Sequence, residues 1–115
     1  MDSRAKALLA ARAAGEKKAK DVIILDIQHL SPFCDYFVIA SGSSGIQVKA
    51  IAEVVEGRLS EAGFSLDHRE GQNDSGWILL DYGDVVIHVF IEEKRVFYDL
   101  ERLWGDAKRV EIKLA

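Results

Sequence analysis

Apolar residues recur along this chain in two rhythms. Val48, Ile51, Val55, Leu59 and Ala62 follow one another at spacings of 3, 4, 4 and 3, which draws one face of a helix. The run SGSSG at 41–45 opens that helix with Ser43 or Ser44 as N-cap, and Gly63 suits the C′ position that ends it. Gly57 inside it costs about 1 kcal/mol relative to Ala, which reads as a sign of close packing. An Ala-rich start, capped by Ser3 and running to about Lys20, predicts a first helix over residues 3–20. The second rhythm is that of strands: VIILDI at 22–27, DYFVIASG at 35–42, FSLDHRE at 64–70, and two runs at 77–82 and 84–91. EEKRVFYDLERLWG predicts a short helix from Val96 or Asp99 to Trp104, and 106–115 a short tail or strand. No repeat or boundary interrupts the chain. The order predicts one α/β (α+β) domain over residues 1–115, a mixed sheet of about five strands flanked by helices.

The run SGWILLDYGDVVIHVF at 75–90 does not fit a sheet with one wet face. Trp77, Leu79 and Asp81 share one side of the first strand, and Ile78, Leu80 and Tyr82 the other. On its partner, Val85, Ile87, Val89 and Ile91 are wholly aliphatic, while Asp84, Val86, His88 and Phe90 are mixed. The aliphatic set is core. The mixed set with Trp77 lies beneath a helix or beneath another protein, and the pattern leaves both open. YDLERLW adds Leu100, Leu103 and Trp104 as a helical edge and leaves Tyr98, Asp99 and Glu101 for solvent or a partner, or Asp99 for capping.

Charge sharpens this picture. The 115 residues carry a net charge of -4, divided as +4 over residues 1–20 and -8 over the rest. Nucleic-acid binders neutralise phosphates with clustered Lys and Arg. This acidic body predicts no specific nucleic-acid partner; it suits a basic protein partner or serves solubility alone. The single Cys34 excludes an internal disulfide and points to a reducing, cytoplasmic setting. No run predicts a membrane span or a signal peptide.

Local motifs for chemistry are weak. SGSSG between strand and helix can cradle phosphate, but the run has no P-loop Lys and not the spacing of a dinucleotide fingerprint. A Gly-Ser pair here also occurs in nucleotidyltransferases, which need paired strand carboxylates for Mg²⁺. No Asp-x-Asp follows at strand spacing, and Glu53 and Glu56 sit on the helix as solvated acids. His29, His68 and His88 form no ligand pair, and no metal or cofactor is expected. His88, mid-strand between Ile87 and Val89, reads as a packed or interface side chain, and Cys34 as a buried or incidental thiol.

EKKAKDVIILDI, DYFVIASGSSGIQVKAIA, GWILLDYGDVVIHVF and FYDLERLW stand in an order that resembles the ribosomal silencing factor, or Iojap, family over roughly residues 6–105. Two departures are visible: Gly15-Glu16 where the family has Glu-Asp before Lys-Lys, and Tyr82 where it has an aliphatic residue. The resemblance implies a nucleotidyltransferase-like topology without the catalytic acids, and no enzymatic activity. It implies binding to the large ribosomal subunit through ribosomal protein uL-fourteen, which blocks small-subunit joining when nutrients are scarce, and homodimers. It places the partner contact on Trp77, Asp81, Tyr82, Gly83 and Asp84 and on Tyr98, Asp99 and Glu101.

Overall fold

A computed structural model describes residues 2–71 and 76–112. The elements in chain order are α1 (Ser3–Glu16), β1 (Lys20–Asp26), β2 (Tyr36–Gly42), α2 (Gly45–Glu61), β3 (His68–Glu70), β4 (Trp77–Asp81), β5 (Val85–Ile91), α3 (Glu92–Tyr98), α4 (Leu100–Leu103) and β6 (Lys108–Arg109). Among the described residues the sheet is mixed, as expected, with six strands rather than about five, in the order β3-β4-β5-β2-β1-β6. β2 and β5 run parallel, and the other neighbours are antiparallel. The sixth strand is the two-residue β6, which pairs Arg109 with Leu25 and Lys108 with Asp26.

The first helix differs from expectation at both ends. Asp2 is its cap and accepts from the Ala5 N–H at 2.8 Å, while Ser3 lies in the first turn and donates its hydroxyl to Asp35 Oδ2. The helix stops at Glu16, because Lys18 turns left-handed at φ 59. The Lys18 N–H then reaches the Gly15 carbonyl and the Ala19 N–H the Ala14 carbonyl, a Schellman closure that sends Lys20 into β1. The end of α2 closes likewise, with Gly63 at φ +91 as expected and Phe64 N–H on the Leu59 carbonyl. Of the strand expected at 64–70, only His68–Glu70 pairs with β4.

Two apolar layers cover the sheet. On one face, Ala7, Ala10, Ala11 and Ala14 of α1 and Val48, Ile51, Val55 and Leu59 of α2 pack on Val38, Ile78, Leu80, Val85, Ile87 and Val89. The alanines carry little bulk, so α1 lies close against α2 and the sheet. On the other face, Leu25, Ile27, Cys34, Ile39 and Phe90 are buried, with Phe37, Trp77, Leu100 and Trp104 packed on them. This second layer explains why both alternating sets of the hairpin are apolar: each faces a core.

Gly57 does not mark close packing. A Cβ there would meet nothing within 4 Å, and the residue is exposed. Gly57→Ala is therefore expected to stabilise the domain by about 0.5–1 kcal/mol, read as a higher urea midpoint at unchanged m-value.

The last helical segment also differs. It begins at Glu92, directly off β5, and breaks at Asp99, whose φ of 47 separates α3 from α4. Glu92 and Glu93 stand in the first turn, where carboxylates favour the helix dipole. Asp99 occupies the N-cap position of α4 with no side-chain cap bond. Its carbonyl instead accepts from Arg102 and Leu103 N–H groups.

Candidate docking surface

The hairpin end that carries the two aspartates is built from inside. Asp81 Oδ1 accepts from the Gly83 N–H at 2.8 Å, and Gly83 supplies the φ of +87 that the turn needs. The Asp84 carboxylate receives Lys6 Nζ at 2.6 Å. That ammonium is largely buried and also sits 4.8 Å above the Phe64 ring. The Asp84 carbonyl accepts from Asp35 and Tyr36 N–H groups. Asp84 thus ties α1 and the start of β2 to the turn; its Oδ1 holds Lys6, while the side chain stays 42% exposed. Tyr82 points into the helix-covered core and is 5% exposed. Burial, and then the Glu56 carboxylate, raise its phenol to about 12. Its ring therefore offers no surface.

Trp77, His88 and Tyr98 meet at the other end of β4. Trp77 lies opposite Phe90 and diagonal to His88, which pairs with Leu79. The indole stacks on Phe90 at 5.0 Å and tilts against Tyr98 at 4.6 Å. Phe37 meets His88 edge-on at 4.9 Å and Trp104 at 5.3 Å. The result is an aromatic strip from Trp104 to Tyr98 and on to Phe97. A recess of about 230 Å³ lies on it, bounded by Trp77, Leu79, Tyr98 and Glu70. Trp77 is half-buried: its body packs in the second core while one edge reaches the recess.

His88 sits beneath this strip, 5% exposed. Its Nδ1 lies 3.2 Å from Trp77 Nε1. Indole N–H only donates, so Nδ1 accepts and the ring proton is on Nε2. That Nε2–H is buried with no hydrogen-bond partner among the described residues, a situation that costs about 1–3 kcal/mol. Burial pulls the imidazole down to about 4, so it is neutral at physiological pH.

Glu101 and Asp99 belong to a separate cleft of about 670 Å³ beside the start of β1. Glu101 accepts from Arg95 Nε at 3.0 Å, and the same guanidinium donates to the buried Ser41 hydroxyl at 2.8 Å. Thus the expected contact residues do not form one patch. Trp77 and Tyr98 share the recess, with His88 below; Asp81 and Gly83 stand at the far end of the same strand face; Asp99 and Glu101 look into the neighbouring cleft. Val96, Phe97 and Leu103, exposed by 79%, 76% and 74%, extend the apolar surface beyond Tyr98. Leu103 was expected on one helical edge with Leu100 and Trp104, but only those two pack on the second core, and Leu103 is left exposed.

The other candidate motifs serve structure. Ser44 caps α2, and its hydroxyl accepts from the Gln47 N–H. Ser43 N–H and Oγ–H both bind Gln47 Oε1, whose amide donates to the Lys17 and Lys18 carbonyls. The Gly/Ser turn is thereby occupied by its own chain. Glu56 is not simply solvated but accepts twice from Arg69. Glu16, where the chain departs from the family pattern, clamps Arg58 of α2 at 2.6 and 2.9 Å. Burial raises the Cys34 thiol, whose single S–H lies within reach of both the Tyr36 and the Asp84 carbonyl. No helix among the described residues is long and apolar enough to cross a membrane.

Taken together, these features define a small α+β domain with a helix-covered sheet face and, opposite, an aromatic strip only partly roofed by its C-terminal helices. The family model for ribosomal silencing factor during starvation matches residues 1–115, and the chain belongs to that family. It is 41% identical over 104 residues to ribosomal silencing factor RsfS of Bacillus subtilis, covering 90% of this chain and 88% of that protein. A crystal structure of a Chromobacterium violaceum protein superposes with a TM-score of 0.89 at 36% identity, covering 100% of this chain and 95% of that one. A more distant relative, 29% identical over 92 residues, is the mouse protein named mitochondrial assembly of ribosomal large subunit protein 1; the match covers 77% of this chain and 40% of that protein.

Proposed function

We propose that this chain is a translation repressor that binds the large ribosomal subunit through ribosomal protein uL-fourteen and keeps the small subunit from joining, lowering translation under nutrient limitation. The observation that carries the reading is the silencing-factor family match over the whole chain. The name of the mouse relative supports the choice of the large subunit. The mechanism is steric and makes or breaks no bond. A domain with principal extents of 33 × 32 × 30 Å seated on a joining surface occupies volume the other subunit needs. Trp77 and Tyr98 supply the apolar anchor, and Asp81 with the acidic body complements a basic protein. Gly83 shapes the turn, while Asp84 and Tyr82 hold it from within. Asp99 and Glu101 border the contact through their cleft. The protein works in the cytoplasm and forms a homodimer.

Sucrose-gradient sedimentation of purified subunits tests this. Saturating protein is expected to shift joined ribosomes toward free subunits and to co-sediment with the large one. Unchanged joining, with the protein left at the top of the gradient, would sink the proposal. Analytical ultracentrifugation of the free protein reads the pairing.

A further inference from the structure

We infer that His88 is a positioning residue: its Nδ1 holds the Trp77 indole in the orientation that presents its edge to the recess beside Tyr98. The significance for docking rests on the function proposed above, whereas the positioning itself does not. Packing alone does not account for an imidazole here. An aliphatic side chain would fill the same space among Phe37, Ile39 and Phe90 without leaving a buried N–H unmet. What the imidazole adds is an acceptor, 3.2 Å from the one polar atom of the indole. Stacking on Phe90 and Tyr98 fixes the plane of the indole loosely, because such contacts tolerate sliding and flipping. The hydrogen bond is directional and selects one flip. In the other flip, Nε1–H would lose this acceptor and the edge offered to the recess would change.

The parent protein gives the first reading. ¹⁵N NMR at neutral pH is expected to show the Nε2–H tautomer of His88 and a hydrogen-bonded, exchange-protected Trp77 indole N–H. An Nδ1–H tautomer would overturn the inference without any variant. Substitution gives the second. H88L should move the Trp77 indole resonance and remove its protection, and H88N, whose side-chain oxygen falls near the Nδ1 position, should restore both. Loss of the indole signature in H88L with no recovery in H88N, both variants being folded by circular dichroism, would also overturn it. Large-subunit binding should weaken roughly three- to tenfold in H88L, the equivalent of one ordinary hydrogen bond. If W77A binds like the parent, the docking surface is wrong, while the tautomer and indole signals still decide the role of His88.

Discussion

Trp77→Ala is expected to weaken binding to large ribosomal subunits by roughly 30-fold or more, the effect of losing an interface anchor worth about 2 kcal/mol. Trp77 combines the features that make such an anchor. It stacks on Phe90 and Tyr98, its Nε1–H is held by His88 Nδ1, and it borders an open recess, so less entropy is left to lose on docking. The fold should survive the substitution. The indole lies at the rim of the second core, and the larger core beneath α1 and α2 does not include it. The stability cost should fall below the roughly 3–5 kcal/mol of a fully buried aromatic. Titration of labelled protein with large subunits, alongside urea unfolding, separates the two effects. Parent-like affinity in a folded W77A would remove the recess from the docking surface.

Charge reversal at the turn needs a different design. Asp84→Lys by itself would set two ammonium groups together at a site where Lys6 is largely buried, so lost binding could reflect a displaced α1. The swap Asp84→Lys with Lys6→Glu retains an ion pair while reversing the charge at the turn. Nothing local in the sequence links these residues, which stand 78 positions apart. That distance is the general reason why the two turn aspartates looked alike as docking groups. One is tied to α1 through Lys6, the other shapes its own loop, and only tertiary contacts distinguish them.

What was legible followed from local periodicity. The spacing of Val48, Ile51, Val55 and Leu59 marked the buried side of α2, and all four are buried. Ser44 and Gly63 marked its ends because cap geometry is set by a few neighbouring residues. The alternation in β4 and β5 separated their two faces correctly, as the two core clusters show. Errors arose where the backbone entered the left-handed region at residues other than glycine. Lys18 ends α1 early, and Asp99 divides α3 from α4. Neither side chain announces that conformation. The pairing of Trp77 with His88 was legible only halfway. Both residues stood on one face, but the hydrogen bond depends on the register that sets Trp77 against Phe90.

Acid should destabilise the domain through His88 in a way that substitution can isolate. The folded imidazole titrates near 4 because burial opposes its charge, against an ordinary value of 6.5. Between these values the unfolded chain binds a proton that the native protein does not. Stability is therefore complete above about pH 6.5 and falls as pH drops toward 4. The loss from pH 7 to pH 4.5 amounts to about 2–3 kcal/mol, a large fraction of the roughly 5–15 kcal/mol that holds a domain together. Carboxylates titrating over the same range are common to parent and variant and cancel in their difference. Urea unfolding of the parent and of H88L should diverge with pH: the parent loses stability steeply below pH 6.5, and the variant lacks that component. Parallel curves would mean that the imidazole gains a proton as readily inside the fold as outside it, and that its site is open to water.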